Sequence, residues 1–380
     1  MSEMLDLVDC EDWPELARLA ESSLRIILDL QDDSGAYPAS PTFSAYRGYC
    51  WFRDGAFIAD GVSSGGGVGS ANQFFDWCAN ILESRAEKIA NIVAQASAGR
   101  PVPDNHMLPT RFTLSGEDGD DEWWDFQLDG YGTWLWAVAE HCRRHDVPLE
   151  RWRRSIELTV DYLASSWQRP CFDWWEENND KVHVSTLGCI AAGMRAVAEA
   201  GILDDAYTQR ARDTAESAIQ LILDKGVTDG HLAKWLGDSE VDASLLSIVF
   251  PLGVIESSSP LGLSTIEAID QQLNVDGGVH RYLADTFFGG GQWPLLSCML
   301  GLALASAGNR ERALEQLKWA AGTAGEEGRM PEQVPTHLLD PSMRQEWVDR
   351  WGPVANPLLW THAMYVRLAV ELGVAKGSVR

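Results

Sequence analysis

Residues Pro14-Glu-Leu-Ala-Arg-Leu-Ala-Glu-Ser-Ser-Leu-Arg-Ile-Ile-Leu28 carry apolar side chains three and four positions apart, which places them on one face of an α-helix. The same period recurs down the chain. It predicts about twelve helices, starting near residues 14, 54, 69, 128, 148, 184, 203, 240, 263, 292, 309 and 357. Pro148 opens one of them, where a missing N–H costs nothing, and Gly201 and Gly308 sit where helix C-caps belong. The connections alternate in length. Asp146-Val147, Gly201-Ile202 and Gly308-Asn309 are tight turns between antiparallel helices. Between successive pairs the chain wanders, over roughly residues 33–53, 98–127, 168–183, 226–239, 274–291 and 327–356.

Six helical hairpins, with every long connection falling between pairs, predict a closed ring. Six inner helices would be sheathed by six outer ones, with the long loops gathered at one end: an all-α (α/α)6 barrel. An open α-solenoid of helix pairs is the competing architecture, but it should show a repeating sequence motif, and none is visible. With no linker, low-complexity tract or shift in composition, the expectation is one domain over residues 1–380.

The composition, 45% hydrophobic and 23% charged, suits a globular chain with a large core. The formal net charge of −26 repels phosphate backbones and argues against a nucleic-acid partner. No stretch approaches the length of a membrane span, and the start, Met1-Ser-Glu-Met-Leu-Asp, has neither the basic nor the apolar region of a secretory signal. The seven cysteines are odd in number, scattered and without CxxC spacing, which predicts buried thiols rather than a zinc site or a disulfide framework. Together these features favour a cytoplasmic setting.

The unusual residue is tryptophan, 17 in all, concentrated with charge in the long loops. The first loop carries Tyr49-Cys50-Trp51-Phe52-Arg53-Asp54, the second Glu122-Trp123-Trp124-Asp125, and the third Trp174-Trp175-Glu176-Glu177. Later loops carry Lys234-Trp235, Arg281-Tyr282 and Met330-Pro331-Glu332-Gln333. Sugars need this mixture: C–H faces stack on indole rings, and hydroxyls bond to carboxylates, amides and guanidinium groups. Any one tryptophan is as readily explained by core packing, and any one surface carboxylate by solvation. Recurrence in nearly every long loop weighs against that explanation.

Glycosidic bond hydrolysis typically uses two carboxyl groups, about 6.5–9.5 Å apart in inverting enzymes so that a water fits between. One must hold a proton for the leaving oxygen. Burial against rings and a like-charged neighbour both favour the protonated form. Glu176 follows two tryptophans and precedes Glu177, and so fits the general acid. The other must be ionised to activate water, and Glu332 in its Pro-Glu-Gln turn fits the general base.

In order and spacing, Trp51-Phe-Arg-Asp54, Gln127-Leu-Asp-Gly-Tyr-Gly132, Trp175-Glu-Glu177, Val241-Asp-Ala-Ser244, Arg281-Tyr-Leu-Ala-Asp285, Met330-Pro-Glu-Gln333 and Trp360-Thr-His362 resemble glycoside hydrolase family 15, the glucoamylase family. The likeness runs from about Tyr37 to about Leu372. It implies an (α/α)6 barrel, Glu176 as acid and Glu332 as base. It implies that Arg53 and Asp54 grip the non-reducing-end glucose, and that Trp175, Glu177 and Arg281 line the subsites around the scissile bond. Tyr49 and Trp51 would form the aromatic wall of the first subsite. Trp360 joins the substrate-binding set, and Trp123 or Trp124 stands near a further contact. The chain lacks room for the β-sandwich that many bacterial members carry before the barrel, and for the starch-binding module of secreted fungal members. The Trp123-Trp124 segment departs from the common pattern, which leaves the second sugar subsite open.

The leading expectation is therefore an inverting, exo-acting hydrolase of small α-linked gluco-oligosaccharides. Isomaltose-type α-1,6 bonds come first, α-1,4 malto-oligosaccharides close behind, and trehalose remains open. Neither a metal nor a cofactor is expected, because water and two carboxyls suffice, and the eight histidines show no HExxH pattern. A non-catalytic sugar-binding barrel would need the aromatic subsites but not both glutamates. A terpene cyclase is a third reading, since Asp118-Gly-Asp-Asp121 has the D-x-D-D form that protonates alkenes. A run from Glu117 to Glu122 is more simply a solvated acidic loop.

Overall fold

The computed structural model describes residues 12–123 and 125–378. Fourteen α-helices occur among them: α1 (Trp13–Leu30), α2 (Phe52–Ser64), α3 (Val68–Ser84), α4 (Ala86–Ser97), α5 (Asp129–His145), α6 (Arg153–Ser166), α7 (Val184–Glu199), α8 (Asp205–Lys225), α9 (Leu246–Val249), α10 (Pro260–Leu273), α11 (Pro294–Ser306), α12 (Arg310–Gly322), α13 (Arg344–Trp351) and α14 (Leu359–Glu371). None is long and apolar enough to cross a membrane.

Two classes of helix build an (α/α)6 barrel. In α2, α5, α7, α11 and α14 almost every side chain is buried, whereas α1, α6, α8, α10 and α12 bury one stripe and expose the rest. A helix that is apolar all round must be surrounded. The buried helices, with α9 and the 3₁₀ turn Ala243–Leu245 before it, pack in the cyclic order α2, α5, α7, α9, α11, α14 and back to α2. Each long connection runs from an outer helix to the start of an inner one, as the alternation of loop lengths predicts.

Glycines set how closely the inner ring packs. A Cβ on Gly132 of α5 would stand 2.5 Å from the Cys189 carbonyl oxygen of α7, and one on Gly193 would stand 2.2 Å from the carbonyl of Gly132. The two backbones touch directly, and this draws the loops at their ends together.

Two elements depart from the expected twelve. The helix starting near 69 breaks at Arg85 and continues as α4. The last long connection contains α13, whose eight residues are too few for a periodic signal. The fourth inner helix is shorter than expected, because the chain turns out at Phe250-Pro251, where proline cannot extend it. Short antiparallel strands, β1 (Tyr49–Trp51) and β2 (Arg111–Thr113), pair Trp51 with Arg111 and brace the first loop against the second.

Gly132→Val should therefore lower stability by ~3 kcal/mol or more, through the backbone clash. Gly69→Ala, at a helical position with nothing within 4 Å, should be neutral or stabilising. Thermal melts of the two variants against the parent chain check the contrast.

Candidate active site

A cavity of about 290 Å³ opens at the loop end of the barrel, lined by residues that include Trp51, Arg53, Asp54, Trp123, Trp175, Glu176, Glu177, Arg281, Glu332 and Trp360. Ten of the sequence-derived site residues thus meet on one surface. Trp124 lies outside the described residues. The expectation for Tyr49 needs correction. It is not on the cavity wall: its hydroxyl donates to Asp121 at 3.0 Å, and its ring packs on the Arg111 guanidinium at 3.8 Å. Tyr46, three residues earlier, takes the wall position instead.

The two glutamates are held by neighbouring rings. Tyr46 Oη donates to Glu332 Oε1 at 2.8 Å, and Trp51 Nε1 donates to Glu176 Oε1 at 2.7 Å. The rings of Tyr46 and Trp51 meet edge to face at 5.5 Å. Two further donors reach the same Glu176 oxygen, Trp123 Nε1 at 3.0 Å and Gln127 Nε2 at 3.2 Å. With Oε1 so occupied, a proton on this carboxyl belongs on Oε2. Arg111 stabilises this side from behind, with its guanidinium 3.9 Å from the Trp123 ring and bonded to both oxygens of Asp121 at 2.7 and 2.6 Å.

The Glu176 backbone sits at φ 65°, a left-handed conformation that a non-glycine residue adopts only under constraint. Buried Asp173 supplies the constraint. Its Oδ1 accepts the N–H groups of Trp175 and Glu177, each at 2.9 Å, and its carbonyl accepts that of Glu176 at 3.0 Å. Trp175 is fixed further by its indole N–H on Asp242, itself paired with Lys234 at 3.2 Å. Beyond it, Tyr282 donates to Glu177, and Arg281 is locked on Asp285 at 2.5 and 2.8 Å between the rings of Trp175 and Trp293.

The Glu332 loop is stapled at both ends. Met330 N–H donates to His362 Nε2 at 3.1 Å, which puts the ring proton on Nδ1, facing Ser23 Oγ at 2.9 Å. Val334 forms an antiparallel bridge with Gln292. Burial pushes the Glu332 carboxyl up to about 8, while the Tyr46 hydroxyl and Arg281 pull it down and Asp54 adds to the rise. The expectation was that this carboxyl be ionised to activate water. The structure instead gives a carboxyl whose ionisation is opposed by burial and partly restored by named donors. Its Oε2 is buried and has no protein partner, and Asp54 Oδ2, also buried, accepts no hydrogen bond from the protein and has only the Arg53 guanidinium beside it. Burial, opposed by Arg53 and reinforced by Glu176, raises Asp54 to about 6. Arg53 spans Gln127 at 2.6 Å and Asp129 at 3.2 Å, with Asp54 at 3.4 Å.

The acidic D-x-D-D stretch plays no part in the cavity wall. Asp118 pairs with Arg85 and Asp121 with Arg111, so these carboxylates tie down the second loop. Tyr46, Arg111, Asp173, Trp293 and Phe287 were not among the expected site residues. Tyr46 was the most accessible of them, as a second tyrosine in an already suspect loop.

Two carboxyls on one aromatic, arginine-bearing cavity at the loop end of an α/α barrel define a glycoside hydrolase. The chain belongs to family 15 of the glycosyl hydrolases, whose family model matches residues 17–322. It is 50% identical over 368 residues to an isomaltose glucohydrolase of Kribbella flavida, covering 97% of this chain and 96% of that one. A solved glycosidase variant in complex with glucose matches with a TM-score of 0.95 and 49% identity, over 97% of this chain and all of the other. A bacterial glucoamylase complexed with acarbose shares the fold at a TM-score of 0.74 and 21% identity, over 96% of this chain and 57% of that one.

The raised Glu332 carboxyl has a consequence for stability. Its folded value, about 8, lies above the ordinary 4.5, so the folded chain holds a proton that the unfolded chain releases. That contribution is complete below the unfolded value and is lost as pH rises through about 8. Glu332→Gln should melt several degrees above the parent chain at pH 9 and together with it at pH 4, as read by circular dichroism.

Proposed function

We propose that this hydrolase releases β-glucose from the non-reducing end of small α-linked gluco-oligosaccharides, isomaltose first, by single displacement with inversion. The reading rests on one observation: Glu176 and Glu332 line one cavity, linked through the touching rings of Trp51 and Tyr46. The name of the Kribbella relative supports the choice of isomaltose.

Glu176 is the general acid. Its Oε1 is saturated by three N–H donors, so Oε2 carries the proton to the leaving oxygen. Glu332 is the general base. Its unpartnered Oε2 takes a proton from the attacking water, while Tyr46 stabilises the carboxylate on Oε1. A base whose pKa lies close to the working pH combines availability with driving force. As the glycosidic bond breaks, water adds to the opposite face of the anomeric carbon. The leaving oxygen gains the Glu176 proton, Glu332 gains the water proton, and the two exchange protons with solvent before the next turnover.

Arg53 and Asp54 grip the far hydroxyls of the glucose, Trp51 and Trp360 flank it, and Trp123 positions the acid. Trp175, Glu177 and Arg281 meet the sugar across the scissile bond. Asp54 Oδ2 and Arg53 Nε lie buried without a protein hydrogen bond, as groups meant for substrate hydroxyls would. The whole chain works as a single domain, and its six described cysteines, all buried free thiols, support a cytoplasmic setting.

Glu176→Gln and Glu332→Gln should each lower kcat by at least about 100-fold with a modest change in KM. Activity within severalfold of the parent in either variant would overturn the assignment. Proton NMR during the first turnovers should show β-glucose before mutarotation. Among glucose disaccharides with α-1,1, α-1,2, α-1,3, α-1,4 and α-1,6 bonds, the α-1,6 compound should give the highest kcat/KM; a higher value for the α-1,4 or α-1,1 compound would replace the substrate.

A further inference from the structure

The cavity has an aromatic half that the two-glutamate chemistry leaves unused. In α13, Arg-Gln-Glu-Trp-Val-Asp-Arg-Trp, Trp347 and Trp351 stand four residues apart and so share one face of the helix. Both line the cavity, while Arg344, Gln345, Glu346, Asp349 and Arg350 are exposed. The helix therefore stands between cavity and solvent, with its indoles inward.

From α13 the aromatic surface is continuous to the proposed acid. Trp347 meets Phe287 edge-on at 4.9 Å, Phe287 reaches Trp293 at 6.4 Å, and Trp293 reaches Trp175 at 5.7 Å, next to Glu176. This is the outer half of the cavity. The Glu177 side chain is 38% exposed, against 5% for Arg53 and 13% for Asp54. Trp347 Nε1 is buried and has no protein partner. The helix is held in place by Asp340 N–H on the Gly289 carbonyl at 3.0 Å and by Ser44 Oγ on the Trp351 carbonyl at 3.4 Å. Trp347 also packs on Phe288 at 6.3 Å and Trp351 on Phe43 at 6.3 Å, so protein rings hold both indoles in place at the cavity wall.

We propose that α13 is the leaving-group wall of the active site: the faces of Trp347 and Trp351 bind the pyranose that departs, and Trp347 Nε1 donates to one of its hydroxyls. The inference rests on the glucoside-hydrolase reading and adds to it the source of preference for a sugar aglycone. A sugar presents both a C–H face and hydroxyls to this wall, whereas a leaving group too small to reach α13 gains nothing from it.

The test compares isomaltose with α-glucosyl fluoride, whose leaving group is a single atom. Trp347→Ala and Trp351→Ala should each lower kcat/KM for isomaltose about tenfold, equivalent to about 1.4 kcal/mol of transition-state binding. For the fluoride, kcat/KM should stay within about twofold. Trp347→Phe, which keeps a ring, should recover most of the loss on isomaltose. Unchanged isomaltose kinetics in both alanine variants would overturn the proposal and leave the hydrolase reading intact. Equal losses on both substrates would also overturn it, by marking α13 as structural. A parent chain inactive on both substrates would remove the hydrolase reading and this inference with it.

Discussion

Tyr46 and Trp51 touch edge to face, and each gives its one polar hydrogen to a different glutamate. The arrangement ties two carboxyls from opposite ends of the chain to one rigid aromatic pair. Residues 176 and 332 have no sequence relation that would bring them together. Their loops descend on the same cavity because α7 and α14 belong to one ring, and the aromatic pair then fixes where each carboxyl can point. A hydroxyl or indole N–H on one oxygen leaves the second oxygen as the only place for chemistry. Removing the Tyr46 ring would leave the Glu332 carboxyl without its hydroxyl donor, whereas Glu176 without Trp51 would keep the Trp123 and Gln127 donors.

The barrel tolerates local conditions in this region that its core avoids. Glu176 holds a left-handed backbone, a cost of roughly 1–3 kcal/mol that neighbouring interactions must offset. The Asp173 carboxylate offsets it with two N–H bonds, and its backbone carbonyl adds a third. Glu332 and Asp54 each keep a buried oxygen that accepts no protein hydrogen bond, although leaving a buried acceptor unsatisfied costs roughly 1–3 kcal/mol. The close-packed inner ring, with Gly132 and Gly193 in backbone contact, provides the stability against which these costs are set. Strain gathered at one end of an otherwise regular assembly is what a pre-organised site requires.

The fold was legible because its signal is periodic. Ten of the twelve expected helix starts fall within about four residues of an observed α-helix start, and the alternation of tight turns with long loops is visible without any motif. The site was legible in its types but less so in its positions. Tyr49 and Tyr46 have the same side chain in the same loop, and sequence cannot say which faces inward: the β1–β2 pairing turns Tyr49 toward Arg111 and Asp121. Arg111 and Asp173 were assigned no role because they act through other residues, one on the face of Trp123 and the other under the Glu176 turn. Helix α13 escaped notice because two inward tryptophans in eight residues make no countable pattern. Its spacing, tryptophan at the first and fifth of five residues, was the one clue available.

The electrostatics suit an uncharged substrate in a strongly acidic chain. The two arginines on the cavity wall are each matched by a carboxylate set behind it: Arg53 by Asp129 and Arg281 by Asp285, neither of which lines the cavity. Pairing from behind cancels most of the net charge while leaving the remaining donors directed forward. The aromatic faces around Arg281 do the same by a different means, giving the cation a polarisable surround without adding an acceptor to compete with a hydroxyl. A bare arginine would recruit anions, and a bare carboxylate would draw metal ions. A cation neutralised from the rear and walled with rings selects for a neutral molecule with many hydroxyls and exposed C–H faces. Burial at the same cavity raises the Glu332 carboxyl to about 8, so this wall group too is held toward its neutral form.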